Sequence, residues 1–88
     1  MKNITVKVNE REGMDARSVA LLVQEASRYD ARIFVSDGTR RMNAKSLMGM
    51  MALGVTLGNE VTIIAEGSDE DAAAAAVADY FEGLNGSV

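Results

Sequence analysis

The chain has 88 residues, a length that fills one small hydrophobic core, so residues 1–88 are expected to form a single domain. Apolar residues make up 48% and charged residues 25%, an ordinary globular balance, and 13 Asp plus Glu against 9 Lys plus Arg leave a net charge of −4 that disfavours unspecific attraction to nucleic acid or anionic lipid. With no histidine and no cysteine, the chain cannot build disulfides, Cys/His zinc sites, Ser-His-Asp machinery or a histidine phosphate carrier.

The opening residues Met1 to Thr5 pass straight into an alternating pattern, with no charged, apolar and small-residue succession of a secretory signal. The apolar run Leu47 to Leu57 is broken by Gly49 and Gly54 and falls short of the roughly 20 residues that span a bilayer. A cytoplasmic location without membrane insertion is the expectation.

Ile4, Val6 and Val8 alternate with Thr5 and Lys7 and read as a half-buried strand, ended by the polar stretch Asn9 to Gly13. From Ala16 to Ser27 an amphipathic helix is expected, with Ala16, Val19, Ala20, Val23 and Ala26 inward and Arg17, Gln24, Glu25 and Arg28 elsewhere. Asp15 stands at its N-cap position, and Met14 with Val19 matches a hydrophobic staple. Arg32 to Ser36 predicts a second strand with Ile33 and Val35 on one face. Asp37-Gly38 turns the chain into a short third strand, Arg40 to Asn43, with Met42 inward.

Ser46 then caps a short helix, Leu47 to Leu53, which Gly54 is expected to stop. The Gly58-Asn59 pair turns the chain into a fourth strand, Glu60 to Glu66, with Val61, Ile63 and Ala65 on one face. Ser68-Asp69-Glu70-Asp71 is an acidic helix start, followed by an alanine-rich helix anchored by Val77, Phe81 and Leu84, with Gly86 to Val88 fraying. The order βαββαβα needs a cover for one apolar sheet face, and three helices supply it, giving an α+β two-layer sandwich.

Three groups of residues offer chemistry, each beside a plainer role. Asp15 with Arg17 at a helix start forms an anion-binding corner or only caps and solvates the helix. Ser46 is placed where a phosphate is favoured by the helix dipole, or caps without modification. A helix as short as Leu47 to Leu53 cannot bury Leu47, Met48, Met50 and Met51 together, so some of them face water or a partner. The acidic run Asp69 to Asp71 lacks the spaced oxygen ligands of a calcium loop, and no metal or cofactor is expected.

Gly13-Met14-Asp15-Ala16-Arg17, Val23-Gln24-Glu25-Ala26 and Asn43-Ala44-Lys45-Ser46-Leu47-Met48-Gly49-Met50-Met51-Ala52-Leu53-Gly54 together resemble, end to end, HPr, the small phosphocarrier of the bacterial sugar phosphotransferase system. The resemblance implies the open-faced β-sandwich of that family: a four-stranded antiparallel sheet covered on one face by three helices. It further implies that the chain is not an enzyme. In HPr a histidine stands at the position of Asp15 and a proline at that of Ser18; the histidine takes a phosphoryl group from Enzyme I and passes it to Enzyme IIA. Here the chain is similar to the catabolite-repression HPr-like members that lack the histidine and keep the regulatory serine. Ser46 matches that serine, the substrate of HPr kinase/phosphorylase. The resemblance also implies docking of the phosphoserine form on a LacI-type catabolite control protein through Arg17, Ala20, Gln24, Lys45, Leu47, Met48 and Met51.

With the resemblance in place, three functions stay open. The chain is a regulator phosphorylated on Ser46, with Asp15 impairing histidine relay or imitating a phosphorylated carrier. Alternatively it is a phosphocarrier in phosphoenolpyruvate-dependent sugar transport, using Asp15 as acceptor or representing an ordinary HPr with its histidine replaced. In the third reading it is an unphosphorylated module that competes with HPr for Enzyme I or Enzyme IIA.

Overall fold

A computed structural model describes residues 1–7, 16–55 and 60–85, the side chains of 53–55 and 82–85 excepted. Its elements run β1 (Lys2–Lys7), α1 (Ala16–Ala26), β2 (Arg32–Ser36), β3 (Arg41–Asn43), α2 (Leu47–Val55), β4 (Glu60–Glu66) and α3 (Glu70–Asn85). The βαββαβα order is therefore observed. The strands form one antiparallel sheet in the order β1-β4-β2-β3.

Period-two alternation sorts the sheet into two faces. Val6, Ile33, Val35, Val61, Ile63 and Ala65 are buried beneath the helices, with Ile4 and Met42 packed against them. Helix α3 lies over β1 and β4, while α1 packs between α2 and α3. The buried stripe of α3 is Ala73, Ala74, Val77, Ala78 and Phe81, so three alanines that read as mere helix formers lie in the interface. Their small side chains let the helix approach the sheet, and Phe81 fills the remaining depth.

Among the described residues no helix covers the opposite sheet face. Register sets Asn3, Ile64, Phe34 and Asn43 side by side across it. The Thr5 and Thr62 hydroxyls pair at 3.0 Å, and the Arg41 guanidinium lies 4.5 Å from the centroid of the Phe34 ring.

Several boundaries differ from expectation. Helix α1 stops at Ala26, where the Ser27 hydroxyl and N–H both donate to the Val23 carbonyl, at 2.7 and 2.9 Å. Its buried residues are Val19, Leu22 and Ala26; Ala16 is exposed, and Ala20 and Val23 are half-buried. Arg40 belongs to the turn rather than to β3, because its N–H donates to the Asp37 carboxylate at 2.8 Å and its carbonyl accepts the Asp37 N–H at 3.2 Å. Gly38 turns the chain there with φ +96°. Helix α2 continues through Gly54 to Val55, a tolerable choice since glycine inside a helix costs only about 1 kcal/mol against alanine. Val8, the Asn9 to Gly13 stretch, Met14, Asp15, the Gly58-Asn59 turn and Gly86 to Val88 lie outside the described residues, as does the Leu84 side chain.

Candidate functional site

Asn43 ends β3 and folds the chain toward α2. Its side-chain oxygen accepts the Lys45 N–H at 2.8 Å, and its carbonyl accepts the Ser46 N–H at 3.0 Å. The Ser46 carbonyl then accepts the Met50 N–H at 2.9 Å, and its hydroxyl oxygen accepts the Gly49 N–H at 3.2 Å, which makes Ser46 the N-cap of α2. A Cβ on Gly49 would stand 3.2 Å from that hydroxyl oxygen, so the missing side chain leaves it room. No acidic residue occupies the first turn of α2. A negative group added to Ser46 therefore meets the positive end of the helix without local repulsion from that turn.

Beside the hydroxyl the helix is unusually bare. Met48 is 80% exposed, Leu47 45% and Met51 39%, whereas Met50 is fully buried. Spacing of three and four residues places Leu47, Met48 and Met51 on one face. The neighbouring helix α1 contributes a similar face: Arg17, Leu21 and Gln24 are all exposed, at steps of four and three residues, with half-buried Ala20 beside them. Leu21, 46% exposed, was not anticipated from the sequence. Its position four residues after Arg17 was the available signal, since it shares the polar side of the wheel.

Lys45 is oriented differently from its neighbours. Its ammonium donates to the Tyr29 carbonyl at 2.6 Å, in the connection between α1 and β2. That connection is fastened a second time by Asp69, whose carboxylate accepts the Asp30 N–H at 2.9 Å and the Ala31 N–H at 2.8 Å. These bonds hold the Asp69 carboxyl below its ordinary range, with the Asp30 N–H contributing most. The acidic helix start thus does more than cap: the Asp69 carbonyl accepts the first α3 bond, from the Ala73 N–H at 2.9 Å, while its side chain ties α3 to the loop. Further along α3, the Tyr80 hydroxyl donates to the Ser18 carbonyl at 2.8 Å and secures the first turn of α1.

Arg17, Ala20 and Gln24 stand on α1, Ser46, Leu47, Met48 and Met51 at the start and along α2, against which α1 packs, and Lys45 is turned toward Tyr29. Asp15 lies outside the described residues. Among the described residues no three carboxylates converge as a metal cluster, and no helix is long and apolar enough to cross a membrane.

A family model for the PTS HPr component phosphorylation site matches residues 2–83. The chain belongs to the HPr family. It is 46% identical over 78 residues to the phosphocarrier protein HPr of Treponema pallidum, covering 89% of each chain. To the HPr-like protein Crh of Bacillus subtilis it is 44% identical over 77 residues, covering 88% of this chain and 91% of Crh. Among solved structures, HPr-C-His from Thermoanaerobacter tengcongensis superposes with a TM-score of 0.86 at 42% identity, covering 100% of this chain and 99% of that one. The fold is accordingly the α+β open-faced sandwich of HPr, and the chain is an HPr-like phosphotransferase-system protein, a class of phosphocarrier and regulatory proteins rather than enzymes.

Proposed function

We propose that this HPr-family protein acts in the regulation of carbon metabolism, through phosphorylation of Ser46 and docking of the α1–α2 face on partner proteins. The observation that carries the reading is the Ser46 hydroxyl capping α2, beside exposed Leu47, Met48 and Met51, in a chain that has no histidine. A relay on imidazole needs a ring nitrogen that accepts and releases phosphorus near neutral pH, and the carboxylate of Asp15 is shorter and forms an acyl phosphate instead. Histidine-type phosphocarrier activity is therefore impaired.

The partners in this reading are HPr kinase/phosphorylase, which modifies Ser46, and a LacI-type catabolite control protein, all in the cytoplasm. The apolar side chains on α2 supply anchors, Arg17 a cationic rim, and the phosphate a charge-assisted contact to basic groups of the partner. Incubation with ATP and HPr kinase/phosphorylase is the test: stoichiometric labelling is expected, and its loss in Ser46→Ala; an unlabelled wild-type chain would refute the reading.

The 46% identity to a protein named as a phosphocarrier supports a second reading, in which Enzyme I and Enzyme IIA are the partners and Asp15 carries phosphate. Rapid labelling of Asp15 from phosphoenolpyruvate and Enzyme I is the result that would put this reading first.

A further inference from the structure

We propose that Met48 is an oxidation site through which hydroperoxides weaken docking on the α1–α2 face. The inference rests on the docking role given above and adds a chemical input to it. Within one nine-residue helix, three methionines meet solvent in a steep gradient: Met48 at 80% exposure, Met51 at 39% and Met50 at 0%. Oxidation of a thioether follows the access of peroxide to sulfur, so the order of reaction is Met48, then Met51, with Met50 protected while the protein stays folded.

In the reaction, a sulfur lone pair attacks one peroxide oxygen. An S–O bond forms as the O–O bond breaks, and the other oxygen leaves with a proton as an alcohol or water. Sulfur loses two electrons and the peroxide gains them. The product is a polar, chiral sulfoxide where an adaptable apolar side chain stood. Met48 shares its exposed face with Leu47 and Met51, so the new dipole lies amid the apolar contacts and must be desolvated when a partner covers them. The core is spared, because Met50 contributes the α2 sulfur that packs inside.

The test treats the native protein with hydrogen peroxide and maps oxygen addition by peptide mass. Met1, 72% exposed, is an accessible methionine outside α2, and substitution Met1→Leu removes it from the comparison. In the Met1→Leu background, addition among the described methionines is expected first at Met48, with an unchanged far-ultraviolet spectrum. Labelling of Ser46 by HPr kinase/phosphorylase then slows about tenfold, the worth of one central apolar anchor. The Met48→Leu chain, treated equally, retains its untreated labelling rate. Oxidation of Met50 before Met48, or equal labelling of oxidised and untreated chains, overturns the proposal and leaves the Ser46 reading standing. Failure of the untreated chain to be labelled overturns the Ser46 reading and the docking effect with it, even where Met48 oxidises first.

Discussion

The Lys45 ammonium and the Tyr29 carbonyl meet at 2.6 Å and join the residue before the α2 cap to the loop that follows α1. A charged donor on a half-buried carbonyl is worth more than a neutral pair, although solvent reaches this one. Lys45→Met keeps the stem and removes the donor. Urea unfolding should show a loss of about 1 kcal/mol with an unchanged slope.

Gly67 sits at φ +153°, and a Cβ there would stand 2.7 Å from the Cα of Ala31. Both backbone conformation and space exclude a side chain. The Gly67→Ala variant is expected to lose at least about 1–3 kcal/mol of stability, measured by thermal or urea unfolding. Gly38→Ala, with an open environment around its Cβ, should lose less, which isolates the contribution of the close approach.

Acid should loosen the Asp69 clamp. Because the folded carboxyl titrates below its ordinary value of about 4, the unfolded chain binds the proton more readily. Its stabilising contribution is complete above that ordinary value and disappears as pH falls through the lowered folded one. In Asp69→Asn the titration is absent, so the stability gap between wild type and variant should be constant above about pH 5 and narrow below about pH 4. A gap that holds down to the lowest pH would disprove the clamp as the source.

Capping and phosphate acceptance by Ser46 can be separated. Ser46→Ala should lose about 0.5–2 kcal/mol of stability together with kinase labelling. Ser46→Asp, another good N-cap, should recover most of the stability and none of the labelling. Thermal unfolding alongside the kinase assay distinguishes the two effects.

Element identity was legible because periodicity was strong. The alternation of Ile33 and Val35, and of Val61, Ile63 and Ala65, marked β2 and β4 at their observed ends. Ends set by side-chain hydrogen bonds were less visible: nothing local reveals that the Asp37 carboxylate removes Arg40 from β3. In α1, Leu21 and Leu22 are equally apolar, and the wheel separates them: Leu22 shares its face with buried Val19 and Ala26, while Leu21, four residues after Arg17, faces out. The Ser46 motif was readable because its cap is built from residues 43 to 50. By contrast, the roles of Lys45 and Asp69 depend on partners 16 and 38 or 39 positions away, and no local spacing encodes them.

The sheet face turned away from the helices, with its Thr5–Thr62 pair and the Arg41 guanidinium above Phe34, offers a handle on the other side of the sheet from α1 and α2. As the native chain has no cysteine, one introduced in place of exposed Thr5 is a unique thiol. Immobilised through it, the molecule presents α1 and α2 outward on a biosensor, so partner binding can be followed without masking the helices that receive it.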